Sequence, residues 1–234
     1  MVDPSISYEE KEEHIIKGEK EIVQELIENK DYICSWCFDV LKYELKNEKF
    51  DYIPPLLQSL HEKGFRIPLF VKWMKLNDVK DLGSYDYNAY ELNGCIGCLN
   101  KIDILDMRHY ALESSLNDKR FHPITLKNIP YLMVTITYLF NFEKCNHVYD
   151  WTIGKHGVSI NFVVNKRKYS STFLPEVAPQ HNFDHKTTIK KLIRKANYKG
   201  EINDDLLKII QVERYEGVSC SLTYTDYQKS KRMY

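Results

Sequence analysis

The spacing of apolar residues changes along this chain, and that change limits the fold class. Residues 8–30 are rich in Glu and Lys, yet their apolar residues recur three and four positions apart, as on one face of an amphipathic helix. Residues 31–46 predict a second helix. From residue 68 onward, short apolar runs typical of β-strands are mixed with two further helical patterns. Because no regular strand–helix–strand alternation appears, the sequence predicts an α+β fold.

Several later segments predict local structure. Strands are expected at PLFVKWMKL (68–76), ELNGCIGCL (91–99, short and interrupted by glycines) and MVTITYLF (133–140). We expect a hairpin around Asn165–Lys168, and two closing strands about Tyr215–Gly217. Helices are expected at 107–118 and 185–198, and Asp184 is a suitable N-cap for the second of these.

Charge and composition narrow the choice of partner and location. Lys plus Arg and Asp plus Glu number 33 each, a balance that disfavours nucleic acid and an anionic membrane as partners. No apolar run approaches the ~20 residues that cross a bilayer, and the acidic first residues lack the apolar core of a signal peptide. We therefore expect a cytoplasmic or nuclear protein, or one found in both places, with six reduced cysteines.

Two Cys-x2-Cys pairs raise the question of a zinc site. Cys34 and Cys37 form one pair and Cys95 and Cys98 the other, and four thiolates bind zinc tetrahedrally. The pairs of such sites are usually ~15–20 residues apart, far closer than these. Cys34 and Cys37 also fall on the apolar face of a predicted helix, where cysteine acts as a small hydrophobe. We predict no metal here.

A second metal candidate is HNFDH, in which His181 and His185 are four positions apart. Because Asp184 is the natural helix cap, His181 falls outside the helix and the two imidazoles do not share a face. The chain also lacks the glycine-rich dinucleotide and P-loop motifs, the zinc-protease motif and the serine-hydrolase elbow. We predict neither a metal nor a cofactor.

Cys95 is the candidate nucleophile. It stands between glycines, where backbone amides can stabilise a thiolate or bind an anion. A nucleophilic cysteine needs a base within about 2.6–3.2 Å, and His156 and His185 are the candidates. The candidate orienting acids are Asp184 and Glu176, and Glu176 lies between the two prolines of FLPEVAP, which stiffen its loop. The alternative is that Gly94 and Gly97 form a bulge and that Cys95 packs as a structural residue.

Many of these segments together, in the same order, resemble the AMMECR family. The family's hallmark segment is Leu-Arg-Gly-Cys-Ile-Gly, and residues 92–97 read LNGCIG. The other similar segments are CFDVL (37–41), PLFVKW (68–73), SLNDKRFHPI (115–124), DWTIGKHGVSINF (150–162), TFLPEVAP (172–179), FDHKTTIKKLIRKANY (183–198) and SLTYTDY (221–227). We therefore expect a charged helical extension at 1–30, an AMMECR-like domain at 31–228 and a tail at 229–234.

The resemblance implies a single domain of two mixed α+β subdomains with a cleft between them and the hallmark segment near it. Cys37, Cys95, His156 and His185 match family positions. Cys34, Cys98 and His181 do not, which further weakens both metal candidates. The hallmark Arg is Asn93 here, and Asn lacks the charge and the bidentate geometry of a guanidinium. That replacement argues against an anionic ligand at this position.

The family implies no established activity, although roles in transcription, repair or translation have been suggested for it. Microbial members are associated with Memo-like and radical-SAM proteins. Two functions stay open: an enzyme that uses Cys95 with a histidine base on a small molecule or peptide, and a non-enzymatic binding or adaptor module. Its partner would be an unidentified small molecule or protein. In either case the expected ligand-binding residues are Asn93, Gly94, Gly97 and Asp184.

Overall fold

The computed structural model describes residues 8–78, 80, 82 and 86–231. This part of the chain contains eight α-helices and six β-strands, which confirms the α+β class. The helices are α1 (Tyr8–Glu28), α2 (Lys30–Leu45), α3 (Pro55–Glu62), α4 (Met107–Leu112), α5 (Val177–Gln180), α6 (His185–Lys195), α7 (Asp204–Ile209) and α8 (Tyr224–Lys231). The strands are β1 (Arg66–Leu76), β2 (Tyr90–Asp103), β3 (Leu132–Lys144), β4 (His156–Val164), β5 (Arg167–Phe173) and β6 (Gln211–Thr223).

The helices α1 and α2 confirm both N-terminal predictions. Leu26 on α1 has no exposed surface, and Glu19 on the same helix accepts a hydrogen bond from Lys101 Nζ at 2.7 Å. On α2, Cys34 and Cys37 are fully buried, as expected for cysteines that serve as small hydrophobes. Both helices therefore contribute to the core.

The chain divides into two compact units. The first consists of the described residues up to Tyr138 together with those from Val218 onward. In it the neighbouring strands are, in order, β2, β1, β3 and the C-terminal part of β6. Trp73 on β1 donates from Nε1 to the carbonyl oxygen of Ala111 on α4 at 2.9 Å, and its ring meets that of Phe38 on α2 at 5.2 Å. These contacts place α2 and α4 on one face of the first unit's sheet.

Side-chain alternation along β1 defines the other face. Since successive residues of a strand point to opposite sides, Leu69, Val71 and Trp73 face the helices. Phe70 and Lys72 lie on the opposite side, which we call the far face. The strands predicted at 68–76 and 133–140 are confirmed by β1 and β3.

The strand β2 is longer than its glycines suggest. It runs uninterrupted for 14 residues, so the prediction of a short, broken strand is wrong. The glycine-containing segment holds a bulge and not a break. Trp73 is paired with Gly94, while the next residue of β1, Met74, is paired with Leu92. Asn93 is the extra residue of this bulge.

The second unit comprises Leu139–Gly217. Its neighbouring strands are the C-terminal part of β3, the N-terminal part of β6, β4 and β5, in that order. The predicted hairpin joins β4 to β5 through Asn165 and Lys166, whose φ angles of 50° and 65° are those of a type I′ turn. Helix α6 buries Ile189, Leu192 and Ile193 against a core to which β4 contributes.

The end of the chain differs from its prediction. In place of two strands about Tyr215–Gly217, β6 is a single strand preceded by α7 and followed by α8. Gly217 does not break the strand, because its missing side chain leaves room for Leu139 and Pro175, which a Cβ there would meet at 3.1 and 3.3 Å. Asn203 starts α7 by accepting the Leu206 N–H at 3.0 Å.

None of the helices in the described part of the chain combines the length and the apolar composition needed to cross a bilayer.

Candidate functional site

Cys95 lies on β2, the edge strand of the first unit, and its backbone is held from outside the sheet. Its N–H donates to Asp118 Oδ2 at 2.9 Å, and its carbonyl oxygen accepts from Arg120 Nη2 at 2.9 Å. Arg120 in turn donates from Nε and Nη2 to the Asp118 carboxylate at 2.9 and 2.6 Å. We call Asp118 and Arg120 the edge clamp, because they occupy the positions that a further strand would fill.

The edge clamp determines how Cys95 meets β1. Cys95 is directly opposite Lys72 in the antiparallel register. Since the N–H and C=O of Cys95 point outward to the clamp, this is a non-hydrogen-bonded pair, the kind in which side chains approach more closely. Because Lys72 lies on the far face, the Cys95 thiol lies there too. The clamp thus fixes the Cys95 side chain on the same face of the sheet as that of Lys72.

The row that begins with Cys95 and Lys72 continues across the next two strands. Lys72 is opposite Thr135 on β3, and Thr135 Oγ1 is 2.8 Å from Ser221 Oγ on β6. A thiol, an ammonium and two hydroxyls therefore follow one another across the far face. Lys72, Thr135 and Ser221 are not among the residues expected from the sequence. The single polar residue inside PLFVKW and the alternation in TIT and SCS are nevertheless signals of strand period.

The carboxyl of Asp118 has an unusually low pKa for a side chain that is almost fully buried. Its side chain is only 6% exposed, and the pKa of its carboxyl is lowered to about 2. The main cause is the hydrogen bonding from the Arg120 side chain, and the N–H groups of Cys95 and Arg120 lower it further, whereas burial opposes them. Asp118 is therefore ionised at any physiological pH, and the edge clamp stays closed.

The two glycines of LNGCIG make room for neighbouring backbone. A Cβ on Gly94 would collide with the carbonyl oxygen of Ser114. Ser114 lies in the π-helical turn Glu113–Asn117 that continues α4, which we call the wide-turn segment. A Cβ on Gly97 would collide with the Leu69 carbonyl oxygen and with Phe70. Both glycines therefore permit close approach within the chain itself.

Cys98 belongs to a different environment from Cys95. Three residues further along β2, it points to the opposite side of the strand, toward α4. Burial and the neighbouring Cys98 raise the pKa of Tyr110 on α4, and Cys98 Sγ also accepts the N–H of Asn100 at 3.3 Å. Cys98 is thus a packing residue and not a partner of the Cys95 thiol.

The two candidate bases lie in the second unit, and they differ in tautomer. His156 Nδ1 accepts the Thr152 N–H at 2.9 Å, so its neutral ring carries the proton on Nε2. Burial, followed by the charges of Lys155 and Arg214, lowers the pKa of His156 and keeps the ring neutral. With its lone pair engaged, His156 is better suited to donate a hydrogen bond than to accept a proton.

His185 has the opposite arrangement. Its Nε2 is 2.9 Å from the carbonyl oxygen of Trp151, so Nε2 donates and Nδ1 holds the lone pair. The Trp151 ring packs against the imidazole at 4.5 Å between centroids. The bond from Nε2 therefore holds the His185 ring in place, and the lone pair on Nδ1 is the one that could accept a proton.

Asp184 acts as the predicted helix cap. Its Oδ1 accepts the Thr187 N–H at 2.7 Å, and the hydroxyl and N–H of Thr187 lower the pKa of this carboxyl. His181 lies outside α6, as expected, and stacks on Phe183. Within the residues that the structure describes, no three His, Cys, Asp or Glu side chains gather in a way that could hold a metal ion.

Glu176 immediately precedes α5 and is partly buried. Burial raises the pKa of Tyr215, and the negative charge of Glu176 adds to that rise, which locates the carboxylate near this phenol. The Tyr215 hydroxyl is 2.6 Å from Thr172 Oγ1. Thus Glu176, His156 and His185 belong to the second unit, and Cys95 to the first. The base and orienting-acid roles of these three residues stay predictions.

Comparison with known proteins gives consistent matches. The AMMECR1 family model matches residues 34–220. An uncharacterised protein of Arabidopsis thaliana is 33% identical over 195 residues, 82% of this chain and 84% of the relative. One from Schizosaccharomyces pombe is 32% identical over 204 residues, 86% of this chain and 96% of the relative. A crystal structure of an uncharacterised Pyrococcus horikoshii protein superposes with a TM-score of 0.63 at 17% identity, over 82% of this chain and 90% of that one, and so shares the fold.

Proposed function

Because the chain belongs to the AMMECR1 family, and the relatives above are named only as uncharacterised proteins, we propose its function from the site: an enzyme that uses the Cys95 thiol on a small molecule or peptide. The observation that carries the proposal is the edge clamp. Asp118 and Arg120 satisfy the backbone of Cys95 and leave its side chain on the far face opposite Lys72. A nucleophile fixed by its own backbone is preorganised for attack.

The chemistry follows from the neighbouring cations. A thiolate is the nucleophilic form of cysteine, and nearby Lys and Arg side chains favour it. The Cys95 sulfur donates an electron pair to an electrophilic carbon, so that an S–C bond forms while the bond to the leaving group breaks. The leaving group departs with the bonding pair and takes a proton from the Lys72 ammonium, which acts as general acid in this proposal. Water then attacks the same carbon, its oxygen stays on the product, and the sulfur leaves as the thiolate. One proton from that water returns to the Lys72 amine, which restores the starting state.

Alkylation of the native protein tests the proposal. Iodoacetamide is applied at several pH values, and each cysteine is followed by peptide mass spectrometry. We expect Cys95 to react at pH 7 faster than N-acetylcysteine and faster than Cys98, its matched neighbour on β2. Lys72→Met should slow the alkylation of Cys95 several-fold, because it removes a cation that favours the thiolate.

The contrary outcome is equally clear. If Cys95 reacts only after the protein is unfolded in urea, it is a structural residue and the enzyme proposal is abandoned. Circular dichroism of the Lys72→Met protein shows whether a slower reaction reflects lost charge or a lost fold.

A further inference from the structure

We infer that an exposed basic surface on the second unit binds the phosphate backbone of double-stranded nucleic acid, whatever its base sequence. The surface is formed by α6 and by the hairpin that joins β4 to β5. Its six exposed cations, which we call the basic surface, are Lys166, Arg167, Lys168, Lys186, Lys190 and Arg194. None of these residues takes part in the proposed enzyme reaction.

The balanced total charge of the chain hides an uneven distribution. Residues 165–200 contain nine Lys and Arg against two acids, Glu176 and Asp184, so the rest of the chain carries the matching excess of acid. After the hydrogen bonds from Thr187, the charge of Lys186 also lowers the pKa of the Asp184 carboxyl, so this one cation is partly offset. Because a ligand responds to the local field, a total charge of zero does not exclude a polyanion here.

Helix α6 presents only cations among its exposed charged positions. Its apolar side packs into the core of the second unit. Lys186, Lys190 and Arg194 succeed one another four residues apart, so their positions recur about every 6 Å along one side of the helix. Like charges at this spacing destabilise a helix by about 0.2–0.5 kcal/mol per pair. An exposed helix usually mixes charges of both signs, and the absence of any acid from α6 favours an anionic ligand.

A series of contacts connects α6 to the hairpin. Arg194 donates from Nη1 to the carbonyl oxygens of Tyr198 and Gly200, both at 2.8 Å. The Tyr198 ring lies 5.2 Å from that of Tyr169 on β5, and the Arg167 guanidinium lies 5.2 Å from the centre of the Tyr169 ring. The cations of the helix and of the hairpin therefore belong to one continuous surface within the second unit.

Ion pairs do not neutralise the basic surface. Within the part of the chain that the structure describes, no carboxylate lies within 4.0 Å of its six cations. The ion pairs of the second unit are formed instead by Lys155, Lys208 and Arg214. Lys195 on α6 is not counted in the surface, because its ammonium donates to the carbonyl oxygen of Thr172 at 2.8 Å.

The composition of the basic surface selects among anionic partners. Lys is depleted in protein–protein interfaces, yet four of the six cations are Lys. A helix that binds a membrane inserts apolar residues, whereas the apolar side of α6 is buried in the core. Neutralisation of phosphates by Lys and Arg needs no apolar patch. Since the neighbouring rings of Tyr169 and Tyr198 pack against each other, they offer no platform for unpaired bases, and a duplex fits better than a single strand.

Fluorescence anisotropy with labelled duplexes tests the inference. The probes are a DNA duplex of about 20 base pairs, a second DNA of scrambled sequence and the RNA duplex of the first sequence, each titrated with the full chain. We expect a micromolar Kd at about 50 mM salt and binding about 100-fold weaker at about 200 mM, as for a protein that contacts about four phosphates. The two DNA sequences should bind equally, and comparison with the RNA shows which backbone is preferred.

Two double variants locate the surface. One combines Lys186→Gln with Lys190→Gln on α6. The other combines Lys166→Asn with Lys168→Gln in the hairpin, where Asn suits the φ of 65° at position 166. Each should weaken binding by about 10–100-fold at low salt and reduce the slope of log Kd against log salt concentration by about 2, since each phosphate contact contributes about 0.9.

The matched control combines Lys63→Gln with Lys127→Gln, two exposed lysines of the first unit. It removes the same total charge and should leave the Kd within about twofold of the parent. Circular dichroism verifies that all three double variants are folded.

Three results would overturn the inference. The first is no binding of any duplex at about 50 mM salt, where phosphate contacts are strongest. The second is an equal loss in the control and in the α6 and hairpin variants, which would show only an effect of total charge. The third is tighter binding to poly-L-glutamate or to vesicles with about one-third phosphatidylserine than to any duplex, which would assign the surface to an acidic protein or a membrane.

Discussion

At the scale of single residues, the stability of the edge clamp should depend on pH. The pKa of the Asp118 carboxyl is about 2 in the fold, against about 3.9 for an unfolded Asp. A folded-state pKa below the unfolded value contributes stability above about pH 4, and this is lost as the pH falls toward 2. The contribution at neutral pH is on the order of 2 kcal/mol, since each pKa unit corresponds to about 1.4 kcal/mol.

Asp118→Asn tests this contribution. We expect the free energy of unfolding in urea to fall by about 2 kcal/mol at pH 7 and the difference from the parent protein to shrink between pH 4 and pH 2. Asp205→Asn is the control, because that carboxylate is 88% exposed and forms only a surface ion pair with Lys208. A difference between Asp118→Asn and the parent that is the same at pH 7 and pH 3 would contradict the assignment.

At the scale of elements, α1 is the helix whose role changes most between sequence and structure. The sequence presents residues 1–30 as a charged extension outside the family resemblance, and the family model begins at residue 34. In the structure Leu26 is fully buried and Val23 is 3% exposed. This helix therefore supplies part of the core of the first unit.

Leu26→Ala should cost about 2–5 kcal/mol of unfolding free energy, the usual range for removing a buried leucine. Gln24→Ala, at an exposed position of the same helix, should stay within about 0.5 kcal/mol of the parent. Urea unfolding followed by tryptophan fluorescence measures both. A loss of less than 1 kcal/mol for Leu26→Ala would mean that α1 can detach without disturbing the rest.

The elements also show what a sequence can and cannot reveal. The Asp184 cap and the hairpin at Asn165 depend on neighbouring residues, so local patterns predict them correctly. The edge clamp joins Cys95 to side chains 23 and 25 residues away and needs a bulge and a wide helical turn to bring them together. The pairing of Cys95 with Lys72 depends on strand register, which no local pattern contains.

At the scale of the whole molecule, the six free cysteines fall into two groups. Cys34, Cys37 and Cys220 are buried in the first unit, whereas Cys95, Cys98 and Cys145 are partly accessible. Cys34 Sγ lies 3.9 Å from Cys220 Sγ. The hydrogen bond with Cys220, together with burial, raises the pKa of Cys34, and burial raises that of Cys37. Both therefore stay thiols and are chemically inert in the fold.

This burial predicts the kinetics of thiol labelling across the chain. Because the three buried cysteines belong to one compact unit, a reagent reaches them only when that unit opens, and all three should be labelled at one common, slow rate. Mass-spectrometric counting should find three modified cysteines at most in the native protein and six in urea. Leu26→Ala should accelerate the labelling of Cys34, Cys37 and Cys220 by the same factor, because it destabilises the unit that protects them. Three unequal accelerations would show that separate local openings, and not the unit as a whole, expose these thiols.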